Sequence, residues 1–204
     1  MKKNDLGFSL IELSIVLIIM GLLVAGITGG ASLIKTAQLR SVITEASTYR
    51  TAFNTFYSQF GRVPGSTTEE PVKVVADDAW NDLKNTNIID KIVSTKDTIP
   101  SVASKYKGTF WYIDHAIDDS GDGDLFIVED FRGLNVLYLS GKSDLTVGAL
   151  SVIDAAGMDE KLDDGQADGG FMRGISSAET PVPLVTYGTD IKDKTTSVVI
   201  KLDF

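Results

Sequence analysis

Between Phe8 and Ile27 the chain is apolar at almost every position, and its only ionisable side chain there is Glu12. As a helix this stretch spans about 30 Å, close to the hydrocarbon thickness of a bilayer. The pattern changes after Gly29-Gly30, but the helical signal does not stop. Apolar residues recur in steps of three and four at Leu39, Val42, Ile43, Ala46, Tyr49, Phe53, Phe56, Tyr57 and Phe60, forming one stripe of an amphipathic helix. Arg40, Glu45, Arg50 and Gln59 fall mostly off that stripe, and no proline occurs before Pro64. The pattern predicts a single helix from about Ser9 to Phe60. Its first half is apolar all round, and its second half has one face to bury. Gly29-Gly30 marks a weak point at the junction, since each glycine costs about 1 kcal/mol in a helix interior.

The segment GRVPGSTTEEP, with Gly61, Pro64, Gly65 and Pro71, must end that helix. Beyond it, residues 76–92 place Trp80, Leu83 and Ile88 at helical steps and predict a short helix. Residues 109–113 (TFWYI) are β-branched and aromatic and predict a strand. Near the C-terminus Val198, Ile200, Leu202 and Phe204 alternate with Ser197, Lys201 and Asp203, as in a half-buried antiparallel strand. Val199 breaks that alternation. Residues 172–175 and 184–187 are further candidate strands. Val128, Phe131, Leu134 and Tyr138 step by three and four, which predicts a helix running to Gly141. Met158 and Leu162, ahead of Asp163-Asp164-Gly165, predict a short helix and turn. The expected fold is α+β: a long N-terminal helix packed on a small antiparallel sheet.

Composition narrows the function. The 204 residues carry a net charge of −9, which gives no broad electrostatic reason to bind nucleic acid. There is no cysteine, hence no disulfide and no thiolate metal site, and one histidine, His115, excludes a His-rich metal cluster. The chain lacks G-x-S-x-G, H-E-x-x-H and P-loop motifs. His115, at the end of an expected strand, reads as structural or exposed, and no catalytic residue is assigned.

The N-terminus carries more information. Lys2 and Lys3 precede the apolar run and favour a cytoplasmic N-terminus, although Asp5 weakens that bias. A carboxylate in a membrane segment is costly and marks function by default. Glu12 either snorkels to the interface or meets a positive partner. A cut after Gly7 would create such a partner, the α-amine of Phe8, charged near neutral pH. The residues Gly7-Phe8-Ser9-Leu10-Ile11-Glu12-Leu13, behind a short lysine-containing leader, resemble the prepilin signal shared by type IV pilins and type II secretion pseudopilins. Tyr57, Phe60, Gly61 and Pro64 resemble a weaker pattern of that family, an aromatic residue followed by G-x-x-P. The resemblance implies a leader at 1–7, removed by prepilin peptidase on the cytoplasmic side, with methylation of the new terminal Phe8. It further implies a membrane and filament-core half-helix at 8–30, an amphipathic half at 31–60, and a globular pilin-like domain at 61–204.

The stretch IDDSGDGDLFIVED holds six acids between Asp118 and Asp130. With Asp118 as loop position one, Ser120 takes three, Asp122 five, Gly123 six, Asp124 seven and Glu129 twelve. That spacing is close to the calcium loop of EF-hands. Asp118, Ser120, Asp122, Asp124 (through its carbonyl) and Glu129 are the candidate Ca2+ ligands. The competing reading is a solvated Asp-Gly turn. The resemblance favours the ion, because some secretion pseudopilins hold calcium in their C-terminal loops. A second acidic patch offers Asp163, Asp164 and Asp168.

The expectation is a structural subunit, not an enzyme. It would sit in the inner membrane with its domain periplasmic, then assemble with copies of itself or other pilins through an inner-membrane platform. The alternative is a single-pass, membrane-anchored periplasmic binding protein or enzyme. Pilus and secretion pseudopilus both stay open. The C-terminal cysteine pair frequent in pilins is missing, while the insertion between Pro64 and Tyr106 exceeds a minimal pseudopilin.

Overall fold

The computed structural model describes residues 9–66, 74–91, 93–96, 99–106, 108–115, 131, 133–176, 184 and 195–202. It forms two compact units, residues 1–38 and 39–204. Helix α1 (Leu10–Phe60) begins in the first and ends in the second.

In the first unit α1 is helical through Gly29 and Gly30 without interruption. Leu10 is 88% exposed and Leu22 77%, and Ile18 and Ile27 are exposed likewise. An apolar surface of that extent is not at rest in water and needs lipid or other protein to cover it. Among the described residues α1 is the one helix long and apolar enough to cross a membrane. Hydroxyls along it are paired within the helix itself. Ser14 Oγ donates to the Ile11 carbonyl, and Thr28 Oγ1 to those of Val24 and Ala25. A helix surrounded by hydrocarbon needs such internal pairing.

In the second unit α1 turns its stripe inward, burying Val42, Ala46, Tyr49, Phe53 and Phe56. The helix stops where Gly61, at φ +66°, takes a conformation that favours glycine. The following turn is clamped to α2 (Ala76–Asn85). Arg62 Nη1 lies 2.8 Å from Asp82 Oδ2, and the same oxygen accepts from Gly65 N at 2.8 Å. Gly65 is required there: at φ +76°, an added Cβ would sit 2.5 Å from the Val75 carbonyl oxygen.

Among the described residues seven antiparallel strands follow: β1 (Val93–Lys96), β2 (Ile99–Ala103), β3 (Phe110–His115), β4 (Asn135–Ser140), β5 (Leu150–Ser151), β6 (Met172–Ser176) and β7 (Thr195–Leu202). Helix α3 (Val152–Leu162) follows β5 directly. The order across the sheet is β1-β2-β3-β4-β7-β5, and β6 also pairs with β7. In register, Trp111 faces Leu139, and Leu137 faces Ile200.

Both sheet faces are covered, which corrects the expected half-buried strand. Trp111, Ile113, Leu137, Leu139, Val198, Ile200 and Leu202 pack in one core with α1 and with Trp80 and Leu83 of α2. Tyr112, Val136, Tyr138 and Val199 belong to a second core with Phe131, Leu145 and Ile175. Val199 breaks the alternation because its own face is buried too. The helix expected up to Gly141 is overturned for the same reason. Residues 135–140 form β4, buried at every position, and a strand buried on both faces loses its period-two signature. The strand expected at 109–113 begins one residue later and extends to His115. The short helix expected over 76–92 ends at Asn85. Leu184 is not in a strand, although its N–H donates to the Gly174 carbonyl at 2.8 Å; residues 185–187 lie outside the described set.

Candidate functional site

The site follows from the first turn of α1. Ser9 precedes the helix and Glu12 is its third residue. The Ser9 N–H donates to Glu12 Oε2 at 2.8 Å, and the Ser9 carbonyl accepts the first helical bond, from Leu13 N at 3.2 Å. This is half of a capping box, in which an acid at the third helical position reaches back to the N-cap amide. The carboxylate also lies at the positive end of the helix dipole. Glu12 is exposed and holds an orphan donor of its own chain. The sequence signal for this role, S-x-x-E ahead of an apolar run, is present at residues 9–12, and a reading focused on the membrane passes over it. Gly7 and Phe8 lie outside the described residues.

The candidate calcium ligands Asp118, Ser120, Asp122, Asp124 and Glu129 also lie outside the described residues. Their place in the chain is fixed, since they fall within the β3–β4 connection whose ends, His115 and Asn135, are paired across the sheet. His115 has a structural partner. Its Nδ1 is 2.9 Å from Asn135 Oδ1, which also accepts the Val74 N–H at 3.0 Å. That oxygen is an acceptor, so Nδ1 carries the proton when the ring is neutral.

The second acidic patch assembles differently from its expected set. Asp159, Asp163 and Asp164 each place a carboxylate oxygen within 4.8 Å of the others, and Asp168 is outside the group. Asp159, on α3, was absent from the expected set and is fully buried. These acids hold backbone donors: Asp163 Oδ2 accepts from Met172 N at 2.8 Å, Asp164 Oδ1 from Gln166 N at 2.8 Å, and Asp159 Oδ1 from Gly165 N at 3.3 Å. Their arrangement ties the chain after α3 to the start of β6.

Glu45 is a further departure. Its position off the apolar stripe implied solvent, yet it is 5% exposed. Its carboxylate accepts from Trp111 Nε1 at 3.0 Å and Ser104 Oγ at 2.8 Å, and from the backbone N–H of Lys105. The donors come from β3 and from the β2–β3 turn, some sixty residues along the chain, so no local pattern announces them.

A membrane-length N-terminal helix continuing into an α+β domain fits an N-terminal membrane anchor. Within it the prokaryotic N-terminal methylation motif matches residues 2–28. That motif is the signal of type IV pilins and pseudopilins, and it supports a pilin- or pseudopilin-like precursor, a structural subunit rather than an enzyme. The long helix followed by an antiparallel sheet is consistent with a pilin-like layout. No curated protein and no solved structure matches the chain.

Proposed function

We propose that the chain is the precursor of a filament subunit, of a type IV pilus-like or secretion pseudopilus assembly. Prepilin peptidase cuts it after Gly7 and methylates Phe8. The domain is exported, the apolar half of α1 waits in the inner membrane, and copies then stack by those helices. The supporting observation is Glu12, the lone acid of a wholly exposed apolar helix surface, in the first turn beside the new terminus.

The capped geometry sharpens the role of Glu12. In the single chain its carboxylate is already used by Ser9 N. On entering a filament core, a charged Glu12 needs a positive partner, because an unpaired buried charge is strongly destabilising. The Phe8 amine of a neighbouring copy supplies it and sets the offset between copies.

Capping and charge pairing are separable. In Glu12→Gln the side chain keeps its length and an acceptor oxygen for Ser9 N but loses its charge. The variant is expected to insert and be cleaved as wild type while its sheared-filament yield falls by about tenfold or more, the penalty of leaving the amine unpaired. Wild-type yield from this variant would leave Glu12 a helix cap only.

A further inference from the structure

A cavity of about 250 Å³ lies within the second unit, between α1, α3, β7 and the residue before β6. Ala46 and Ile200 are buried in its floor, and Leu162 and Phe171 line it half-buried. Two cations reach it from separate helices, Arg50 from α1 and Lys161 from the last turn of α3. Acids outnumber lysines and arginines by 28 to 19 in this chain, yet the lining holds both cations and no acid. Asp159, Asp163 and Asp164, at the same end of α3, hold backbone N–H groups instead.

The walls are set by the fold. The Arg50 guanidinium lies over the Phe171 ring, 4.2 Å from its centroid, a cation–π contact. The Phe171 N–H donates to Asp163 Oδ2 at 2.5 Å, and the Phe171 carbonyl accepts from Lys201 N at 2.8 Å, so its backbone is tied on both sides. Ser47, exposed at the mouth, spends its hydroxyl proton on the Ile43 carbonyl. The side-chain donors facing a guest are then those of Arg50 and Lys161. A guanidinium carries five N–H donors, more than one intramolecular partner takes up. An apolar floor with a few convergent charged groups is the usual form of a small-molecule site.

We propose that this cavity binds a small organic carboxylate with an apolar body. The carboxylate pairs with Arg50, whose planar fork matches its two oxygens, and with Lys161. The apolar body rests on Ala46, Leu162 and Ile200. A bare inorganic anion would leave that floor uncovered, and a neutral apolar guest would desolvate two cations without pairing them. Ligand pockets usually run from about 300 to 1,000 Å³, so the guest here is small, of about the size of benzoate. The inference rests on the domain alone and is independent of the filament reading.

The test is calorimetric titration of the full chain in neutral detergent with benzoate, against blank micelles, with benzyl alcohol and inorganic phosphate as competitors. Wild type is expected to bind benzoate saturably, and neither competitor should displace it at equal concentration. Affinity should fall by about tenfold or more in Arg50→Gln and by about threefold or more in Lys161→Gln, through lost charge-assisted hydrogen bonds. Lys84→Gln, on exposed α2 and outside the lining, should bind as wild type. Lys161 is exposed, so its variant keeps the fold and decides the matter even where Arg50→Gln unfolds. No saturable binding, equal affinity in Lys161→Gln and wild type, or an equal loss in Lys84→Gln overturns the site. Displacement by phosphate or benzyl alcohol as effective as by benzoate overturns the class of guest. Each of these failures leaves the filament reading standing.

Discussion

Tyr49 is 1% exposed and lies edge-on to two indoles, 5.1 Å from Trp80 and 5.8 Å from Trp111 between ring centroids. Its hydroxyl has no hydrogen-bond partner among the described residues. Burial first, and the nearby Glu45 carboxylate second, push its ionisation far above the usual tyrosine range. The sign follows from linkage. Above about pH 10 the unfolded chain gives up this proton while the folded chain keeps it, so stability falls as pH rises through that window. Tyr49→Phe removes the term. Urea unfolding of the detergent-solubilised chain should show the variant as stable as wild type near neutrality, or up to about 1 kcal/mol more stable, since a buried donor without a partner is lost. The variant should also lose less stability than wild type between about pH 9 and pH 11. An unchanged alkaline slope would show that Tyr49 titrates normally. Glu12 belongs to the same scale. Its capping role was legible in four consecutive letters, because a capping box is local chemistry.

At the scale of elements, legibility followed how local each signal was. Helix α1 was readable almost to the residue, because an apolar run of membrane length passes without a helix breaker into a stripe of steps of three and four, and a glycine-proline break closes it. Strand β4 was not, because Val136 and Tyr138 face one core while Leu137 and Leu139 face the other, and four consecutive apolar residues fit helix or strand alike. Glu45 could not be read at all, since its donors Trp111 and Ser104 reach it only through the tertiary fold. That carboxylate fixes how α1 sits on the sheet. Replacing it by alanine strands the Trp111 and Ser104 donors, and should cost about 2–4 kcal/mol in urea unfolding. Glu45→Gln keeps an acceptor and should cost clearly less. Equal losses for the two variants would mean that charge, not hydrogen bonding, holds the helix there.

At the scale of the whole molecule, a cysteine-free chain with a net charge of −9 must hold its acidic connections by other means. Asp159, Asp163 and Asp164 show one solution, carboxylates spent on backbone N–H groups. For the β3–β4 connection the sequence spacing proposes another, a calcium ion held by Asp118, Ser120, Asp122, Asp124 and Glu129. If it binds, saturating calcium stabilises the folded chain by mass action, and the melting temperature should rise by about 5 °C or more. No shift on adding calcium or a chelator would leave those residues a solvated turn. The signal that supports the proposed function was legible only at the N-terminus, where a methylation motif is written in consecutive residues.

The fate of the first seven residues separates an assembling subunit from a plain membrane anchor. The decisive measurement is the intact mass of the protein extracted from membranes of cells that express prepilin peptidase. The predicted species has lost Met1 to Gly7, begins at Phe8 and carries one methyl group on its terminal amine. A chain that keeps its N-terminal seven residues in those cells would contradict the account and describe a plain membrane anchor, with Glu12 as nothing more than its helix cap.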